Sequence, residues 1–226
     1  MSHSVDPHFP TMAWGLELGA SALLVIDPQN DFLHPEGWYG AHGVDISHMR
    51  RTIEPTRLLV QSARGRQMPI IWTQHGFHNE SDGGLFLEMR PFLAEGGLRI
   101  GTWGYQILEE LEPAAGDWRI QKNRLSAFYG TNLELLLRGL GVSTILVVGV
   151  LTNQCVAATS KDAYYRDIKP IVVEEATGTT LPHLHSPAIE MIQVGWGAVH
   201  SLEKTPDEPR GTGYTELLDN LLSACR

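Results

Sequence analysis

The chain has 226 residues, 42% of them hydrophobic and 19% charged, with a formal net charge of −9. That length suits one α/β domain, since single sheets of this class reach about 200–250 residues. An acidic chain without a Lys/Arg cluster is a poor match for nucleic acid or an anionic membrane surface, so neither is expected as a partner.

Two cysteines, Cys155 and Cys225, do not make a disulfide framework in a chain this long, and a reducing cytoplasm is the expected compartment. Met1 to Pro10 is polar and contains proline, unlike a signal peptide, and the apolar runs are too short to span a membrane. Residues 1–20 read as an N-terminal arm, with Trp14, Leu16 and Leu18 available to pack on a surface, and residues 21–226 as a single domain. Ser21–Ile26 is an unbroken apolar run, the mark of a strand buried on both faces. It ends at Asp27-Pro28, and residues 31–45 read as a loop. Residues 46–67 carry a helical pattern with Pro55 near the start. Pro69–Thr73 is a second buried strand, followed by Gln74, His75 and Gly76.

Residues 77–104 are dense in glycine and lack a period, which predicts a long functional loop or lid. A short helix is expected over Tyr105–Leu111 and a third strand over Asp117–Lys122. Thr131 followed three residues later by Glu134 reads as a capping box before a helix over 132–138. Thr144–Val150 is the most apolar strand, and a helix over 153–166 carries Cys155 near its start. Next come a strand over Pro170–Glu174, a helix over His185–Val194, a strand over Ala198–Leu202 and an amphipathic helix over Tyr214–Cys225. This alternation predicts a three-layer α/β/α fold: a mostly parallel, six-stranded, Rossmann-like sheet with helices on both faces.

In such sheets ligands bind outside the carboxyl ends of the strands. The polar residues at those ends are Asp27, Gln74, His75, Lys122, Thr152, Asn153, Cys155, Glu174 and Glu175. A cysteine at a helix start has its thiolate favoured by free N–H groups, although on its own stretch Cys155 reads equally well as a small buried hydrophobe. Asp27 could be a turn residue and Lys122 a solvated charge; their convergence with Cys155 favours chemistry. In that reading Lys122 holds the thiolate and lowers its pKa, Asp27 moves protons, and Cys155 attacks a carbonyl carbon. Backbone N–H groups at the helix start hold the oxyanion.

Three motifs carry a resemblance: Leu24-Val-Ile-Asp27-Pro-Gln-Asn-Asp-Phe32, Lys122-Asn-Arg-Leu-Ser126-Ala-Phe128, and Gly149-Val-Leu-Thr-Asn-Gln-Cys155-Val. With these the chain resembles the isochorismatase-like cysteine hydrolases. The resemblance implies a catalytic triad of Asp27, Lys122 and Cys155. It also implies a cis peptide between Val150 and Leu151, with the N–H groups of Leu151 and Cys155 as oxyanion donors. Nicotinamidases of the family hold a metal on an Asp-x-His element; the second strand here lacks that Asp, so no metal or other cofactor is expected. The segments Gly101–Tyr105 and Lys122–Ser126 look most like the ureidoacrylate and N-carbamoyl amidohydrolases, and residues 192–197 are similar to biuret hydrolases. The expected substrate is therefore a small ureido or carbamoyl amide, with ammonia as a product. Expected pocket residues are Gln74, His75, Phe77, Trp103, Arg124 and Phe128, with Gln193 carried over from the resemblance alone. A nicotinamidase-like activity and a non-catalytic binding module are the alternatives. The family resemblance and the apolar arm imply a homo-oligomer, a dimer or a tetramer.

Overall fold

The computed structural model describes residues 11–201 and 219–220. Six parallel strands form one sheet in the order β3-β2-β1-β4-β5-β6. They are β1 (Ser21–Ile26), β2 (Ile70–His75), β3 (Trp118–Lys122), β4 (Thr144–Val150), β5 (Lys169–Gly178) and β6 (Ala198–His200). The chain starts at the middle, winds outward through β2 and β3, then returns to place β4 on the other side of β1. The strand order therefore reverses between β1 and β4, where an open parallel sheet leaves a crevice at its carboxyl edge.

Period-two alternation sorts each strand between two cores. Leu23, Val25, Trp72, Leu146 and Val148 face one side, packed with Leu59, Val60 and Ala63 of α4 (Ile53–Gly65). Ala22, Leu24, Ile26, Ile71, Ile145 and Val147 face the other. There they meet α8 (Leu133–Gly139), α9 (Ala157–Tyr164) and α10 (His185–Gly195). Every residue of β1, β2 and β4 is buried, which is why these strands read as continuous apolar runs.

Short helical turns fill the remainder. The stretch after β1 holds α1 (Asn30–Leu33), α2 (Trp38–Ala41) and α3 (Ser47–Arg50) where a plain loop was expected. The helix predicted over 46–67 is broken between α3 and α4. A proline ring clashes with the carbonyl four residues back, so Pro55 must lie in the first turn of α4 rather than inside a longer helix. Residues 77–104 contain α5 (Glu80–Gly83), α6 (Leu85–Glu88) and α7 (Pro91–Ala94), tied down by a bridge between Phe77 and Arg99. Asn79 and Asp82 form a capping box at α5. The predicted box at Thr131 does not form: Thr131 accepts from the Leu133 N–H, while Glu134 pairs with Arg138 and Arg166. The helix expected over 105–111 is only a turn at Glu109–Leu111. Strand β5 runs past the predicted Glu174 because its register with β4 shifts between Val147 and Gly149. Glu174 and Glu175 lie inside that irregularity instead of ending the strand. Leu16 of the arm is fully buried in the domain's own core. The helix predicted over 214–225 lies outside the described residues except Asp219 and Asn220, which are helical. Among the described residues, no helix is long and apolar enough to cross a membrane.

Gly149 marks the tightest approach in the sheet. Its φ is +111°, and a Cβ there would lie 2.2 Å from the Ile26 carbonyl oxygen. Gly149→Ala is expected to lower stability by roughly 3 kcal/mol, from backbone strain plus overpacking. Urea denaturation measures this; a loss below about 1 kcal/mol would show that β1 and β4 can separate without cost.

Candidate active site

Three side chains from three elements meet at the carboxyl edge. Asp27 follows β1, Lys122 ends β3, and Cys155 lies in a single π turn, Thr152–Val156, between β4 and α9. All three are at most 2% exposed. The Lys122 Nζ is 2.7 Å from Asp27 Oδ2 and 3.3 Å from Cys155 Sγ. It also donates to the Arg124 carbonyl at 3.0 Å and contacts His75 Nδ1 at 3.2 Å.

Local structure explains the convergence. Lys122 shares a face of β3 with buried Ile120, and His75, its register partner on β2, shares a face with Ile71. Asp27 has φ +48°, a conformation Asp tolerates better than most residues, and this turns its carboxylate out of the strand's alternation. Thr73 holds it there: the Thr73 hydroxyl donates to Asp27 Oδ1 at 2.6 Å and accepts from the Asp27 N–H at 3.0 Å. Gln29 continues the seam, accepting from the His75 N–H at 2.6 Å and donating to the His75 carbonyl at 2.9 Å. Asp31 of the same motif anchors the surrounding loops through the N–H groups of Trp38 and Leu98.

The Val150–Leu151 peptide is cis. Among the described residues, the Leu151 N–H makes no hydrogen bond, while the Leu151 carbonyl accepts from Gln154 and Val156.

Burial and neighbouring charges set the protonation of the cluster. Burial pushes the Cys155 thiol from 9.0 up to about 12; Lys122 pulls it down, but not enough, and Asp27 raises it further. The resting sulfur is therefore held toward the thiol, the form from which Asp27 is expected to take the proton, and the lowering expected from Lys122 is present but outweighed. Burial also works against the Lys122 charge, yet Asp27 and Cys155 outweigh it and hold its pKa above 10.5. His75 is kept well below 6.5 by burial first, then by Lys122, Arg90 and Arg124, so its imidazole is neutral. An ammonium can only donate, so His75 Nδ1 accepts from Lys122 and the ring proton sits on Nε2. That Nε2 is buried and has no hydrogen-bond partner among the described residues.

Ligand atoms of Asp27, His75 and Cys155 lie within 4.8 Å of one another, close enough to share a cation. The Lys122 ammonium already stands among them, at 2.7, 3.2 and 3.3 Å from the three.

The expected pocket residues divide. His75 is inside the cluster, and Phe77 packs against it at 5.2 Å between ring centroids. Arg124 contributes its carbonyl to Lys122, while its guanidinium donates to the Asp82 and Asn123 carbonyls. Gln74 alternates to the other face of β2 and donates to the Tyr105 carbonyl. Trp103 is 48% exposed, and its ring meets the edge of His34. Phe128 sits in the core toward α8 and α9, with the Arg166 guanidinium 4.9 Å from its ring centroid. Gln193 is half-buried near the far end of α10, about 12 Å along the axis from His185 at the helix start, by the rise per residue. It makes no hydrogen bond to the cluster among the described residues. Sequence reasoning passed over Thr73, Phe86, Arg90 and Gln154. The Phe86 ring covers His75 at 4.4 Å, and Arg90 donates to Gln154 Oε1 at 2.8 Å. Thr73 could have been found as the residue two before His75 on the same strand face; the other three carry no spacing signal.

A parallel α/β sheet with a thiol, an ammonium and a carboxylate at its switch point defines a cysteine hydrolase type of site. The chain belongs to the isochorismatase family: the family's Isochorismatase domain matches residues 21–204. A cysteine hydrolase from Pseudomonas syringae pv. phaseolicola 1448A has the same fold, with a TM-score of 0.81 at 24% identity over 99% of this chain and 100% of that one. N-carbamoylsarcosine amidase from Thermoplasma acidophilum is 27% identical over 85% of this chain and 99% of its own, with a TM-score of 0.65. Pyrazinamidase/nicotinamidase from Streptococcus mutans UA159 is also 27% identical, over 80% of this chain and 100% of its own, with a TM-score of 0.68.

The perturbed thiol has a consequence for stability. Above pH 9.0 an unfolded chain loses the Cys155 proton while the native state keeps it, so the unfolded state binds fewer protons and stability falls as pH rises. Lys122 adds a fall of the same sign above 10.5. Urea midpoints measured from pH 8 to 10 should drop with a slope approaching ~1.4 kcal/mol per unit. Cys155→Ala should flatten that drop; an equal slope in both proteins would contradict the buried thiol.

Proposed function

We propose that this protein is a cysteine-dependent amidohydrolase that cleaves the C–N bond of a small ureido or carbamoyl amide through a thioester and releases ammonia. The observation that carries the reading is the position of Lys122 Nζ, in contact with both the Asp27 carboxylate and the Cys155 sulfur. Likeness to an N-carbamoylsarcosine amidase supports the ureido class.

Asp27 is the base that the protonated thiol requires. It takes the Cys155 proton as Sγ attacks the carbonyl carbon, and Lys122 offsets the charge on sulfur as it forms. The N–H groups of Leu151 and Cys155 hold the oxyanion; the Leu151 N–H has no competing partner among the described residues. The tetrahedral adduct collapses, the C–N bond breaks, and Asp27 returns the proton to the nitrogen that leaves. Water then attacks the thioester, giving its proton to Asp27 and restoring the thiol. His75 stays neutral and offers its Nε2–H to the substrate once Phe86 moves aside. Gln74, Phe77, Trp103, Arg124, Phe128 and Gln193 remain proposed pocket residues; of these, Phe77 and Arg124 have contacts that support the assignment. We also take the protein as a cytoplasmic homo-oligomer: cysteine usage supports the compartment, and exposed Leu85, Met89, Tyr164 and Tyr165 are surfaces a second copy could cover.

A second reading, hydrolysis of an aromatic amide such as nicotinamide, is supported by the likeness to the S. mutans enzyme and by the Phe77 and Phe86 rings beside His75.

An ammonia-release assay over N-carbamoylglycine, ureidoacrylate, biuret, triuret and nicotinamide separates the two. The ureido compounds should be turned over, and Cys155→Ser should fold normally yet lose roughly a thousandfold or more in kcat/KM. Activity confined to nicotinamide would replace the substrate class; wild-type rates in Cys155→Ser would remove the mechanism.

A further inference from the structure

Two guanidiniums beside the cluster, those of Arg90 and Arg124, have no carboxylate within 4.0 Å among the described residues. Arg50, Arg57, Arg64, Arg66, Arg138 and Arg166 each have a carboxylate within 4.0 Å. Arg51, Arg90, Arg99, Arg119 and Arg124 have none among the described residues; of these Arg90 and Arg124 stand beside the cluster, and Arg90 is half-buried in a protein that is acidic as a whole. A guanidinium has five N–H donors. The hydrogen bond that Arg90 makes is to the neutral amide oxygen of Gln154, at 2.8 Å.

Its location is equally specific. Gln154 is the residue immediately before Cys155. The Arg90 guanidinium carbon lies 4.3 Å from the centroid of the Phe86 ring, which covers His75. Arg90 therefore stands at the roof of the site, its plane steadied by an aromatic face and its position tied to the nucleophile's own turn. Inside the site, the charges of Asp27 and Lys122 cancel, while the thiol and imidazole are neutral. Arg124, whose guanidinium meets only carbonyls among the described residues, adds a second positive charge on the same side. The two guanidiniums thus bring positive charge to the roof of the site, with no carboxylate within 4.0 Å of either among the described residues.

We propose that the substrate carries a carboxylate and that Arg90 binds it, so that the enzyme acts on ureido acids in preference to uncharged ureides. This inference rests on the ureido hydrolase reading above. A planar fork matches a carboxylate bidentately, and removing water from the pair as the roof closes strengthens it. Biuret and triuret, which have no anionic end, leave Arg90 without a counter-charge and bind less well. The reacting carbamoyl carbon sits at Cys155, and the acid end points outward past Phe86.

The test compares a charged substrate with its neutral twin. Wild-type protein, Arg90→Gln and Arg90→Lys are assayed for ammonia release on N-carbamoylglycine and on N-carbamoylglycinamide, with nicotinamide alongside. Wild type should prefer the acid by about 100-fold in kcat/KM, the scale at which a buried charge left unpaired discriminates. Arg90→Gln should lose most of that factor on the acid, chiefly through KM, and lose far less on the glycinamide, so that the preference for the acid collapses. Arg90→Lys, which keeps the charge without the fork, should fall between them. An equal loss on both compounds would make Arg90 a latch for the roof and overturn the proposal. Equal or better turnover of the glycinamide by wild type would overturn it while leaving the ureido reading intact. Turnover of nicotinamide with neither ureido compound cleaved would remove that reading, and this inference with it.

Discussion

The site depends on one buried ion pair, Lys122 Nζ to Asp27 Oδ2 at 2.7 Å. Both side chains are fully shielded from water, so neither charge would survive there alone. Removing one partner of such a pair costs about 3–5 kcal/mol, because the other is left without compensation. The pair also sets the state of everything around it. The ammonium takes Nδ1 of His75 as an acceptor and so directs that ring's proton to Nε2. Burial first, and then neighbouring Asp27, push the sulfur toward its protonated form. A thiol at rest next to a carboxylate is a nucleophile that waits for its base. In the proposed mechanism chemistry begins when a substrate carbonyl arrives and the proton can move to Asp27.

Much of the sheet was legible because strands buried on both faces leave unbroken apolar runs. Ser21–Ile26 and Thr144–Val150 have the same limits in sequence and structure. The triad residues were legible for a related reason: each stands at or just beyond the carboxyl end of such a run. Errors fell where tertiary contacts decide. The break before α4 and the irregular pairing of β5 come from a proline clash and a register shift that no periodicity records. The segment from Phe77 to Gly104 reads as aperiodic because its three helical turns are each only four residues long, too short to show a repeat. That segment supplies Phe86 and Arg90, so the contacts over His75 and Gln154 were hidden while the Asp27, Lys122 and Cys155 cluster was visible. Lys122 lowers the Cys155 pKa as expected, but burial outweighs it. Local sequence can suggest a helix end and a nearby cation, but not how deeply the sulfur is buried.

The roof and the floor of the site differ in character. The floor is built from strand ends locked by Thr73 and Gln29, whose hydrogen bonds are buried and cross between β1 and β2. Such a frame can hold reacting groups within a fraction of an ångström. The roof is a chain of short turns with a positive φ at Gly84, held by side-chain hydrogen bonds from Arg90 to Gln154, from the Leu98 N–H to Asp31 and from Arg124 to the Asp82 carbonyl. Cys155 is nearly inaccessible beneath it. On the same side the Phe86 ring covers His75 at 4.4 Å.

The central claim is that the resting nucleophile is a thiol and that Asp27 ionises it. Ultraviolet thiolate absorbance, titrated from pH 6 upward in wild type and Cys155→Ala, tests this without a substrate. Subtracting the variant removes the contribution of Cys225. The account predicts no Cys155 thiolate at neutral pH and its appearance only well into the alkaline range. A full thiolate signal at pH 7 would contradict it, and would mean that Lys122 alone, with no base, had already prepared the sulfur.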